Sequence, residues 1–133
     1  MRNIKIKKFG SGNNHLLIRE DLGWDPDGGP SMIAYYLQSY ESIIALALHR
    51  PAYGFHSLSL DGRTWDYSRT TAKHRNAFMD RFTPWAVNNT SSTTKRISAG
   101  DIILEDLNAP YGVGFFIGHN SSLNNRGVRN ERS

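Results

Sequence analysis

Apolar and polar residues alternate with period two at Ile4-Lys5-Ile6-Lys7 and again within His15-Leu16-Leu17-Ile18-Arg19-Glu20. That spacing puts one face of a strand against a core and the other toward water. Between the two runs, Gly10-Ser11-Gly12-Asn13-Asn14 tolerates positive φ, so the segment predicts an N-terminal hairpin. Residues 21–31 (Asp-Leu-Gly-Trp-Asp-Pro-Asp-Gly-Gly-Pro-Ser) are turn chemistry almost throughout and predict a loop. Ser31 can cap a short helix over 32–38. Placing Tyr35, Leu37 and Ser39 on one face and Tyr36, Gln38 and Tyr40 on the other favours a strand instead. Ser42 to Leu48 is nearly continuously apolar, as expected of a central strand buried on both faces. His56 to Leu60 alternates cleanly and meets Asp61-Gly62, which predicts a hairpin into Thr64-Trp65-Asp66-Tyr67.

The period then changes. Ser68 or Thr70 can accept a backbone N–H as N-cap, and a helix is predicted over about 70–82 before Thr83-Pro84 stops it. Phe78 and Phe82 stand at i, i+4 with His74 on the same stripe, while Lys73, Arg75 and Arg81 point elsewhere. Asn88 to Thr94 is a run of amides and hydroxyls and predicts a loop. A turn within Arg96 to Asp101 precedes an apolar strand at 102–104, and Tyr111 to Ile117 predicts a final strand. Residues 119–133 hold almost nothing apolar and predict a disordered, polar basic tail, leaving one domain over 1–118. The fold class expected is α+β: a mainly antiparallel sheet or small partly open barrel of roughly five to seven strands, with one clear helix.

Composition narrows the function classes. A chain of 133 residues builds a single modest core. It has no cysteine, which rules out disulfides and thiolate metal sites. Sixteen basic against twelve acidic residues give a net charge of +4, which favours polyanionic partners. No apolar run is long enough for a bilayer-spanning helix, and residues 1–8 lack the apolar region of a signal peptide. The expectation is a soluble protein of the host-cell interior with no membrane partner, or a virion-associated one. Nucleotide-binding, Rossmann and nucleophile-elbow motifs are absent, and no cofactor is expected. Asp21, Asp25 and Asp27 lack calcium-loop spacing and read as Asx turns. The histidines lack ligand spacing, so no metal site is expected.

Ser39-Tyr40-Glu41-Ser42-Ile43-Ile44-Ala45 resembles a Ser-Tyr-x-Thr-Pro-apolar-Ala strand, and Tyr67-Ser68-Arg69-Thr70-Thr71-Ala72-Lys73-His74 resembles a Tyr-Ser-x-Thr-Thr-Ser-Lys-His helix start. Both motifs belong to small uncharacterised proteins of bacteriophages and related mobile elements. Ser98-Ala99-Gly100-Asp101-Ile102-Ile103 and Gly114-Phe115 resemble a further Ser-x-Gly-Asp motif of such proteins. The chain departs from the pattern at Ser42-Ile43, at Ala72 and in the long insertion over 50–56. The resemblance implies a viral or mobile-element origin and carries no mechanism.

The candidate chemistry is cationic. Arg69, Lys73 and Arg75 gather at the predicted helix start, where hydroxyls and free N–H groups form a ready anion site, although the same residues fit a simple capped helix. Arg50 and Arg63 add phosphate or acidic-surface contacts, with Tyr53 and Trp65 as stacking anchors. The function expected is a non-enzymatic accessory protein that docks on a host or viral macromolecule, foremost nucleic acid or a nucleoprotein, with an anti-defence inhibitor as one form. Two alternatives stand beside it. One is a metal-independent nuclease using His49, His56 or His74 as general acid and base. The other is a minor virion component whose basic tail threads into a neighbouring protein.

Overall fold

A computed structural model describes residues 3–109. Five strands, β1 (Asn3–Lys8), β2 (His15–Leu22), β3 (Met32–Ser39), β4 (Ser42–Arg50) and β5 (Gly54–Asp61), follow one another as an antiparallel meander. Two helices come next, α1 (Arg69–Phe82) and α2 (Thr90–Ala99). The short strand β6 (Ile103–Glu105) then adds to β5 in parallel. A parallel neighbour needs a long crossover, and the two helices supply it. The α+β class and the open, mainly antiparallel sheet are therefore as expected, with two helices among the described residues in place of one.

The sheet carries apolar residues on both faces. On one face Leu17, Leu37, Ala45, Ala47, Leu58 and Leu60 receive Phe78, Met79 and Phe82 from α1, with Phe9 and Ile102 closing the sides. On the other, Ile18, Ala34, Tyr36, Ile43 and Leu46 form a second cluster with Leu22 and Leu107. Strand β4 serves both, as its continuous apolar run requires. The pairing of β3 and β4 shifts between Leu37 and Gln38, leaving Ile44 as the extra residue of a bulge. The bulge turns Ile44 and Ala45 into the same cluster. It also frees the backbone of Ile43, whose N–H donates to Asn108 Oδ1 at 2.8 Å and whose carbonyl accepts from Asn108 Nδ2 at 2.8 Å.

Three sequence expectations need correction or restriction. Asp61-Gly62 does not turn a hairpin, and no strand forms over 64–67. The Asp61 carboxylate is buried and accepts from the N–H of Arg63, Thr64 and Leu107 and from the Thr64 hydroxyl. This local bonding competes with a strand ladder and winds the chain toward α1. Residues 90–94, expected in a loop, open α2. Their start is a capping box in which the Asn89 side chain accepts from Ser92 N–H and the Ser92 hydroxyl accepts from Asn89 N–H. Their stop is Gly100, left-handed at φ 86. Residues 32–38 are strand. The final strand expected over 111–117 and the basic tail over 119–133 lie outside the described residues.

Candidate functional site

Helix α1 organises two recesses, one at each end. At its start Ser68 is the N-cap, accepting from Thr71 N–H at 3.1 Å, a contribution of about 1 kcal/mol to helix stability. The turn between β3 and β4 stands opposite, and a cleft of about 610 Å³ lies between them. Ser39, Tyr40, Glu41, Ser42 and Ile44 line it from one segment, and Tyr67, Ser68, Thr70 and Thr71 from the other, with Thr64 at the margin. The β3–β4 turn and the start of α1 therefore meet across one space. Tyr40 and Tyr67 are exposed, at 58% and 78%. Tyr40 also holds φ 56, a left-handed conformation that a non-glycine residue adopts at a cost of about 1–2 kcal/mol.

Behind the cleft two imidazoles stack. The rings of His15 and His74 lie 3.6 Å apart and 3° from parallel. His15 is buried, its Nε2 is 2.9 Å from Ser39 Oγ, and its ring meets that of Tyr40 edge-on at 5.7 Å. His74 Nδ1 lies 2.8 Å from the Thr70 carbonyl, one turn back on α1. Burial, with the neighbouring His74 second, lowers the His15 pKa from its ordinary 6.5. Gly10 makes the approach possible: at φ +76, a Cβ there would sit 3.1 Å from His74 Nε2.

The second recess is at the far end of α1. A groove of about 240 Å³ is lined by Lys5 and Lys7 from β1, Arg19 and Leu17 from β2, Tyr35 from β3, and Arg81 and Phe82 from α1. The register explains the gathering, because Lys5 pairs with Arg19, Arg19 with Tyr35 and Lys7 with Leu17. The alternation that buries Leu17 against α1 carries the two lysines onto the same face. Arg19 Nε donates to Asp21 Oδ1 at 2.9 Å, a contact that raises its pKa, and its guanidinium lies 5.9 Å from the Tyr35 ring centre. None of Lys5, Lys7 and Arg81 forms an ion pair among the described residues. Tyr35 stacks on Phe82 at 4.3 Å, giving the groove an aromatic floor.

The residues singled out from sequence are scattered around this frame. Arg69 and Lys73 are exposed on α1. Arg50 and the exposed Tyr53 border a separate pocket with Asp25, Ser31 and Met32. Arg63 is exposed in the turn after Asp61, and Trp65 is half-buried. Arg75 is no surface contact, because it has no exposed area. Its guanidinium donates to the Trp65 carbonyl at 2.8 Å, Asn76 Oδ1 at 2.9 Å and Thr90 Oγ1 at 3.0 Å, lies 3.6 Å from Asp66 and sits 5.2 Å from the Trp65 ring centre. Burial lowers its pKa and Asp66 opposes the shift, so it stays a cation tying α1 to the preceding turns and to α2. Trp65 is committed to the same contact.

Nor do the three histidines of the nuclease alternative share a site. His49 Nε2 lies 2.7 Å from the Phe82 carbonyl at the end of α1, packed among Tyr35, Phe55 and Phe82. It meets one of the carbonyls that a helix terminus leaves unpaired. His74 is two turns back along α1, stacked on His15. His56 is exposed, the extra residue where the β4–β5 register shifts, and its pKa is lowered by partial burial and then by Arg50.

The sequence reading missed Lys5, Lys7, Arg19 and Arg81. The first three were read as strand alternation and the last as one more helix cation. The available signal was that β1 places its lysines on the face where β2 places Leu17 and Arg19.

A protein-family model described as a family of unknown function (DUF8033) matches residues 3–98. The chain belongs to this family. The match runs from β1 almost to the end of α2, so the DUF8033 span holds every described residue lining the cleft and the basic groove. No curated protein and no solved structure matches the chain.

Proposed function

We propose that this DUF8033 protein is a small accessory factor, of the phage or mobile-element type its motifs resemble, that binds nucleic acid or a nucleoprotein. The observation that carries the reading is the groove in which Lys5, Lys7, Arg19 and Arg81 surround Tyr35 and Phe82. Three of these cations have no carboxylate partner among the described residues, and their charge is available to a polyanion. Arg69 and Lys73 carry positive charge onto the exposed side of the same helix. Aromatic rings beside cations are how single strands are held without strict sequence demands.

Fluorescence anisotropy with a labelled single-stranded oligonucleotide tests this. Binding should weaken with salt, and replacing Lys5, Lys7 and Arg81 together by Gln should make the log–log salt slope shallower by about 2, from a loss of about 0.7 per phosphate contact. The triple variant should keep the parent melting temperature, since surface charges contribute little to stability. Absence of binding at low salt, or an unchanged slope in the triple variant, overturns the reading.

A further inference from the structure

We propose that the cleft between the β3–β4 turn and the start of α1 is a base-reading pocket, which takes one unstacked guanine of the strand whose phosphates follow the basic groove. The inference rests on the nucleic-acid reading and extends it to a second site on the same helix.

The lining decides what part of a ligand can enter. Among the described residues no lysine or arginine lines the cleft, and Glu41 carries the one charged side chain in its lining. The carboxylate disfavours a phosphate beside it and accepts from an uncharged group rich in N–H. Tyr40 and Tyr67 approach from separate segments with their rings largely open to solvent. Exposed rings of this kind are platforms for a nucleobase, whose flat face stacks on either. The cleft volume of about 610 Å³ lies within the range of small-ligand sites.

The backbone at Tyr40 points the same way. The β3–β4 turn puts Tyr40 at φ 56, where glycine is the unstrained choice. The strained residue is held by its N–H donating to the Asn14 carbonyl at 2.6 Å, by Gln38 Nε2 donating to its carbonyl at 2.8 Å, and by the His15 ring. A large aromatic ring fixed at a strained turn on the lip of a cleft is a candidate contact residue.

Glu41 selects among the bases. A carboxylate offers two acceptor oxygens, and guanine alone presents two adjacent donors, N1–H and N2–H, on its Watson–Crick edge. Adenine and cytosine place an acceptor beside their amino group, and thymine and uracil flank one N–H with two carbonyls, so each repels part of the carboxylate. The two sites also suit one strand. Thr70 at the cleft and Arg81 at the groove are separated along α1 by about 16 Å at 1.5 Å per residue, a span of a few nucleotides.

Anisotropy with a labelled thymidine tract of about twelve nucleotides, and with versions carrying one central guanine, adenine or cytosine, tests the pocket. The guanine strand should bind about fivefold to tenfold tighter than the plain tract, with adenine and cytosine below it. Glu41→Gln should remove the guanine advantage, and Tyr67→Ala should weaken the guanine strand toward the plain tract. Both should leave the salt slope set by Lys5, Lys7 and Arg81 unchanged, and both side chains are exposed, so the variants fold. Equal affinity for all four strands overturns the pocket while the nucleic-acid reading stands, and so does a guanine preference that survives Glu41→Gln. No binding of any strand overturns both.

Discussion

Arg75 and Arg81 leave the same helix six positions apart and meet opposite fates. Arg75 turns inward, where three oxygens and the Trp65 ring saturate its guanidinium and Asp66 supplies the nearby charge. Arg81 turns outward beside Lys5 and Lys7, with no ion pair among the described residues. In sequence the two look alike, and Arg75 looks the better ligand because it follows hydroxyls at a helix start. A cation is available for binding only when its desolvation and its hydrogen bonds are not already committed to the fold.

The sharpest way to break this contrast is Arg75→Ala. It removes the donor shared by Trp65, Asn76 and Thr90, and urea denaturation should show a loss of about 3 kcal/mol, from several charge-assisted bonds that do not add fully. Arg75→Lys keeps the charge but not the planar fork and should recover less than half of that loss. Arg81→Ala should change stability by no more than about 0.5 kcal/mol, as surface substitutions do. A loss under about 1 kcal/mol for Arg75→Ala would return Arg75 to the surface role expected from sequence.

The same contrast explains how much was legible in the chain. The meander was, because period-two alternation in β1, β2 and β5 and the continuous run in β4 are local properties. So was α1, with its cap, its Phe78–Phe82 stripe and its proline stop. Asp61 misled because an Asp-Gly pair is a turn signal whether its carboxylate faces water or, as here, is buried against Leu107 N–H, 46 positions away. Helix α2 was obscured by Ser and Thr, weak helix formers, although Asn89-x-x-Ser92 and Gly100 marked both its ends. The basic groove depended on register between strands, and the cleft on the approach of two segments some 25 positions apart. Hydrophobic period does not encode either. Residues 39–44 and 67–71 face one another across the cleft, a proximity that neither segment encodes alone.

A smaller effect is expected where the two ends of α1 are coupled. The β1–β2 hairpin that carries the basic lysines is seated on α1 through Phe9, Gly10 and the His15–His74 stack. Burial and His74 hold the His15 pKa below 6.5, so the folded protein releases that proton at lower pH than the unfolded chain does. The unfolded state therefore binds more protons between the lowered value and about 6.5. His15 leaves stability undiminished above that window, destabilises the fold progressively as pH falls through it, and has no further effect below the folded value. Melting temperatures followed from about pH 8 to about pH 5 should decline accordingly. His15→Phe should flatten the decline, leaving the part due to His56, whose pKa is also lowered. An equal slope in parent and variant would mean that the stacked pair does not sense pH.

Only a small stability change is predicted at Tyr40, because opposing contributions offset one another. Tyr40→Gly relieves a left-handed backbone that costs a non-glycine residue about 1–2 kcal/mol. Against this, the variant loses an edge-on ring contact with His15, worth about 0.5–1.5 kcal/mol, and gains freedom in the unfolded chain, worth about 0.4–1 kcal/mol. The terms nearly cancel, and the net shift should stay within about 1 kcal/mol of the parent. Measured on one preparation, the melting curve should barely move while the preference for a guanine-bearing strand falls. A loss beyond about 2 kcal/mol would instead make Tyr40 a packing residue, whose strain is offset by the fold. The cleft would then have no claim on its ring.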